Sequence, residues 1–80
     1  MILHLGKEHT INSEQVVMIG DMNTSNYSPI TKKFLKTSQE EGFIVDYSKD
    51  SPKSFILTEE TVYYSMISAK TLGKRLNKKI

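Results

Sequence analysis

Eighty residues leave room for one domain, which on folding buries roughly 60% of the surface its unfolded chain exposes, and 38% hydrophobic with 25% charged residues excludes a disordered chain. The lack of cysteine excludes disulfides, thiolate zinc ligands and a thiol nucleophile, leaving self-association as the means of supplementing a small core. The net charge of +2 hides an asymmetry: from Lys70 onward there are five bases (Lys70, Lys74, Arg75, Lys78, Lys79) and no acid, against six bases and nine acids in 1–69. An acidic body with a basic tail fits a polyanionic partner, and equally a charge block that maintains solubility.

Met1–Leu5 alternates, with Ile2 and His4 on one face and Met1, Leu3 and Leu5 on the other, which predicts a strand. Gly6-Lys7-Glu8 turns the chain, and Thr10-Ile11 is placed to pair back. After the polar Asn12–Gln15 stretch, Val16–Ile19 reads as a strand buried on both faces, because its apolar residues do not alternate. No basic region precedes the apolar opening, and no run approaches the ~20 apolar residues of a bilayer span. The expectation is a cytoplasmic protein with no signal peptide and no membrane partner.

Asp21–Tyr27 reads as a polar loop. Ser28-Pro29 then predicts a helix start, Ser28 at the N-cap and Pro29 at the first helical position, where a missing N–H costs nothing. This helix covers 28–41 and ends at Gly42, with Ile30, Phe34 and Leu35 as its buried stripe and Thr31, Lys32, Lys33 and Lys36 outside. Phe43-Ile44-Val45 is a third apolar run, and Asp46–Pro52 a loop. Phe55–Leu57 and Val62–Tyr64 bracket Thr58–Thr61 as a hairpin. Ser68 caps a terminal helix over about 68–80, with Ala69, Leu72, Leu76 and Ile80 on one stripe and Lys70, Lys74 and Lys78 on another. The predicted fold is α+β, a single domain 1–80 with a small, largely antiparallel sheet, one central helix and a basic C-terminal helix.

Catalytic or metal chemistry needs converging groups. His4 and His9 sit five apart across a turn with no carboxylate at ligand spacing, and Glu40-Glu41 and Glu59-Glu60 are adjacent pairs that diverge into solvent. No nucleophile elbow, phosphate loop or dinucleotide fingerprint occurs, so neither an enzyme nor a cofactor is expected. Phe55, Tyr63 and Tyr64 resemble a base-stacking platform, but strand aromatics fill a core or an oligomer interface more often. The 28–41 helix puts Lys32 and Lys33 in its first turn and Glu40 and Glu41 in its last, against the macrodipole, at about 0.3–1 kcal/mol for each exposed charge. Two readings stay open. Lys32, Lys33 and Lys36 contact phosphates or a neighbouring subunit's acids, or they are a tolerated surface accident.

Ile2-x-His4-Leu5-Gly6, Ser28-Pro29-Ile30, Ser51-Pro52-Lys53-Ser54, Tyr63-Tyr64-Ser65 and Thr71-Leu72-x-Lys74-Arg75 together resemble the RemA/RemB family of short bacterial regulators linked to biofilm matrix genes. The resemblance spans nearly the whole chain. It implies an α+β subunit that closes into a ring and binds DNA through arginines repeated around it, so that a few bases per subunit become a continuous track. It also implies a functional role for Pro29 at the helix start. The chain departs from the pattern at Asp50-Ser51, which stands where RemA-like members carry an arginine pair, and at Gln15, which replaces another functional arginine. Lys53 aligns with a basic position.

Two functions follow. In the first, a homo-oligomer binds DNA weakly specifically through Lys32, Lys33, Lys53, Lys70, Lys74, Arg75, Lys78 and Lys79. In the second, the chain is an interaction module that co-assembles with a RemA-like paralogue without touching DNA.

Overall fold

The computed structural model describes residues 1–6, 8–22 and 29–77. Strand β1 (Ile2–His4) pairs antiparallel with β2 (Thr10–Asn12) as a two-stranded ribbon, Leu3 opposite Ile11. A single 3-10 turn (Ser13–Gln15), capped by the Asn12 side chain, leads into β3 (Met18–Asp21). Helix α1 (Pro29–Glu41), β4 (Ile44–Asp46), the hairpin β5 (Ser54–Leu57) and β6 (Val62–Ser65), and helix α2 (Ala69–Asn77) complete the order. The central sheet has the order β3-β5-β6-β4; all its pairs are antiparallel except β4 with β6. This is the expected α+β architecture.

Alternation along β5 and β6 sorts side chains onto two faces. Ile56 faces the ribbon and α2, in a cluster with Leu3, Leu5, Ile11 and Leu72; Tyr63, Ile19 and Leu76 pack around it. Phe55, Val62 and Tyr64 face α1 and meet Leu35. The ribbon and α2 therefore cover one face, and α1 the other. Two fully buried serines bind the layers: Ser65 Oγ donates to Leu5 O at 2.6 Å and accepts from Ile67 N, and Ser54 Oγ donates to Ile67 O at 2.8 Å.

Three expectations need correction. Val16–Ile19 is not a strand covered on both faces: β3 is an edge strand, Val17 is 62% and Met18 42% exposed. Ile19 packs against the first cluster, but Met18 lies on the other face, outside the cluster that Leu35 forms with Phe55, Val62 and Tyr64. On α1, Leu35 and Ser38 are buried while Ile30 and Phe34 are exposed. Leu35 lies five residues from Ile30, about 140° round a helix, so both cannot face one sheet. Met1, expected on the inner face of β1, is 56% exposed.

Both helices otherwise start as read, and α1 also stops as read. Helix α1 begins at Pro29 and closes with Gly42 at φ +81°, Gly42 N–H reaching Gln39 O and Phe43 N–H reaching Ser38 O, a Schellman motif. Ser68 Oγ accepts from Thr71 N at 3.2 Å, capping α2. The Ser28 N-cap and the last three residues of the terminal helix lie outside the described residues.

Candidate nucleic-acid interface

The cations expected to meet DNA sit on three separate elements. Lys32 and Lys33 are exposed near the N-terminus of α1, whose first turn holds no acid. Pro29 opens that turn and is itself exposed. Its ring supplies the fixed φ that starts the helix. Lys53 immediately precedes β5. Its N–H donates to Ser65 O at 2.9 Å and its C=O accepts from Met22 N at 2.9 Å, so both sides of its backbone are held in the sheet while the side chain is exposed. On α2, Lys70 and Lys74 are exposed because Leu72, fully buried, fixes the helix rotation. Arg75, also exposed, spends one donor within the chain: Nη1 donates to His4 O at 3.2 Å. Lys78 and Lys79 lie outside the described residues.

The topology brings some of these together. Tyr47 N–H donates to Tyr64 O and Lys53 N–H to Ser65 O, so the 46–53 loop is attached to the end of the sheet where β6 finishes. The turn Gly42-Phe43 reverses α1 into β4, which points the first turn of α1 toward that same end. Lys32, Lys33, Lys49 and Lys53 share it with Asp21, Asp46 and Asp50. The opposite end carries Glu14, Glu40, Glu41, Glu59 and Glu60, all exposed. The charge distribution is polar along the strands, yet the basic end is diluted by three aspartates. Among the described residues, one copy presents scattered cations and no dense track.

Asp50 stands in a tight turn. Asp46 Oδ1 accepts from Ser48 N at 2.7 Å and from Ser48 Oγ, Ser51 N donates to Ser48 O, and Lys49 and Asp50 take left-handed backbone at φ 56° and 67°. Ser48 is buried and both following side chains are exposed. Lys49, which sequence reasoning passed over, is therefore a further exposed cation on the same turn as Asp50. The signal available was the Asp-x-Ser-Lys-Asp-Ser run, which predicts a turn that turns side chains outward. Gln15, in place of another expected arginine, is exposed on the 3-10 turn at the acidic end.

His9 stacks flat on Tyr47, ring centroids 3.8 Å apart at 2°, and Tyr47 stacks in turn on Tyr63. Among the described residues no group of three or more histidines or carboxylates is placed to hold a metal ion, and no helix is long and apolar enough to cross a membrane. Phe55 and Tyr64 are core residues, 2% and 9% exposed, which removes two of the three candidates for a stacking platform.

The sequence profile of the RemA-like family, described as extracellular matrix regulatory protein A-like, matches residues 2–76, every element from β1 to the last turn of α2. Extracellular matrix regulatory protein B of Bacillus subtilis (strain 168) is 36% identical over 75 residues, covering 94% of this chain and 89% of that protein. With the match running through both helices and all six strands, the chain belongs to the RemA-like family of extracellular matrix regulatory proteins.

Proposed function

We propose that this chain regulates extracellular matrix genes as a cytoplasmic homo-oligomer, residues 1–80 acting as one domain, binding DNA through basic surfaces repeated from copy to copy. It acts as a regulator rather than a catalyst. The observation that carries the reading is the spread of exposed cations over α1, Lys53 and α2. Phosphate binding gains from each neutralised charge, and a surface this sparse becomes a usable track only when copies are arrayed. Lys53 is the best-placed cation, since its backbone is fixed on both sides by the sheet.

A fluorescence-anisotropy titration of duplex DNA at 50 and 200 mM salt, with oligomeric mass measured in parallel, tests this. The expected outcome is an affinity loss of about 10³-fold or more across that range if six or more phosphates are contacted by the assembly. Lys53→Ala should weaken binding and flatten the salt dependence. No binding at low salt by an intact oligomer would remove the reading.

A second reading has its own support. Asp50, exposed on a turn where the family resemblance expects an arginine pair, presents the wrong sign to phosphate. It favours a subunit that regulates by joining a RemA-like paralogue. Native mass spectrometry of the two purified proteins decides it: a mixed oligomer is expected, and its absence alongside good DNA binding eliminates this alternative.

A further inference from the structure

The turn at 48–51 holds a conformation that its own residues disfavour. Lys49 and Asp50 both take left-handed backbone, φ 56° and 67°, and Ser51 N–H donates to Ser48 O at 3.2 Å, the arrangement of a type I′ turn, which favours Asn-Gly. Aspartate tolerates that region, lysine enters it at a cost, and such strain persists only where the surroundings over-determine it. Three holds come from the loop and the sheet: Tyr47 N–H donates to Tyr64 O, Asp46 Oδ1 accepts from Ser48 N and Oγ, and Lys53 N–H donates to Ser65 O. A fourth comes from outside both. The His9 ring lies flat on Tyr47, centroids 3.8 Å apart at 2°, and Tyr47 stacks on Tyr63 of β6 at 5.8 Å and 26°.

His9 is itself held firmly. Its C=O accepts from Leu5 N–H at 2.8 Å, closing the turn between β1 and β2, and the C=O of Leu5, a fully buried residue, accepts from Ser65 Oγ. The imidazole is exposed and so adds little to the core, while the Tyr47 it covers is half-buried. Beside the stack, a depression of about 240 Å³ is lined by Glu8 and His9 from the β1–β2 turn and by Tyr47 and Lys49 from the loop, which brings Lys49 next to the ribbon. We propose that His9 is a positioning residue: its ring, packed on Tyr47, fastens the left-handed 48–51 turn to the ribbon, so that Lys49 and Asp50 are presented at the basic end of the sheet in one fixed arrangement. This rests on the DNA-binding reading above and adds the device that prepares one of its surfaces. A turn already in place has little ordering left to lose when a partner binds, whereas a loosened turn lowers apparent affinity by the fraction of copies no longer in place.

Removing and restoring the ring tests this. His9→Ala abolishes the stack, and His9→Phe keeps an aromatic face on Tyr47 without the ring nitrogens. Both should fold, since His9 is exposed, and circular dichroism checks it; where alanine unsettles the whole fold, His9→Leu, apolar but without a ring face, replaces it. In His9→Ala, amide hydrogen exchange at Ser48 and Ser51, whose N–H groups are bonded within the turn, should quicken by about 2- to 10-fold, the loss of one ring pair, with exchange at Ile56 unchanged. His9→Phe should restore the wild-type rate. In an anisotropy titration of duplex DNA at 50 mM salt, His9→Ala should bind at least about threefold more weakly, because the loosening recurs at every copy, and His9→Phe should lie within about twofold of wild type. Unchanged exchange at Ser48 and Ser51 in His9→Ala overturns the proposal, as does a His9→Ala that binds DNA like wild type. A His9→Phe as defective as His9→Ala shows the imidazole meeting DNA itself and overturns the positioning role. Those three outcomes leave the DNA-binding reading standing; wild type that binds no DNA at 50 mM salt overturns both.

Discussion

Helix α2, described over nine residues, and helix α1, described over thirteen, flank the same sheet on opposite faces and use their apolar residues in opposite ways. Under α2, Leu72 is fully buried with Leu3, Leu5 and Ile56, each at most 2% exposed, and Leu76 packs at the margin. Under α1, one leucine and one serine are buried, while Ile30 stands 79% exposed. Helix α2 thus contributes more to the apolar core from fewer described residues. What separates them is register: α2 aims its single apolar stripe at the sheet, whereas α1 carries two apolar lines, and only the one through Leu35 meets β5 and β6. The other line is surface, and its Phe34 lines one depression with the exposed Phe43.

The largest effect expected from this comparison is at Leu72. Truncation to alanine removes a fully buried side chain from the cluster of Leu3, Leu5, Ile11 and Ile56, so Leu72→Ala should lower unfolding free energy by about 2–5 kcal/mol in urea titration. A loss under about 1 kcal/mol would show that α2 docks loosely and that the contrast between the helices is wrong. A smaller effect belongs to the serine links. Ser65→Ala strands Leu5 O and Ile67 N in a buried site, at about 1–3 kcal/mol. Because those bonds join the ribbon and the α2 connection to the sheet, hydrogen exchange should quicken at Leu5 and Ile67 more than on the α1 face.

Most of this frame was legible in the sequence. Strict alternation gave β1 its inner Leu3 and Leu5, Pro29 and Gly42 bounded α1, Ser68 opened α2, and the Thr58–Thr61 interval set the β5–β6 register that places Leu57 opposite Val62. Those signals are local, resting on backbone preference and capping. What failed was long-range. Val16–Ile19 looks like a buried strand because a run of apolar residues says nothing of its place in the strand order, and β3 falls at an edge. Ile30, Phe34 and Leu35 look like one stripe until the sheet chooses between lines 140° apart, by about two-fifths of a turn. The cations were legible as residues but not as a surface: that Lys53 and Lys49 reach one end while Glu59 and Glu60 reach the other depends on how β4, β5 and β6 pair. Gly20 carried no readable signal at all. Its lack of a Cβ lets the Phe55 ring lie across β3, a cross-strand fit visible only once the two residues are in register.

The smallest expected effect is at Ile30, and it is the sharpest discriminator. Isoleucine and serine have similar helix propensities, so Ile30→Ser changes little in α1 itself. At 79% exposure the side chain makes few contacts within its own copy, and unfolding of dilute, single-copy protein should shift by no more than about 0.5 kcal/mol. On the homo-oligomeric reading, the same substitution in concentrated protein should lower the melting temperature, because stabilisation by association weakens when an exposed apolar side chain that a neighbouring copy would cover is removed. A substitution silent in dilute protein and destabilising in concentrated protein identifies an apolar residue retained for a neighbouring copy. A loss above about 1.5 kcal/mol in dilute protein would instead place Ile30 in a buried site, and α1 would then belong to the core as fully as α2 does.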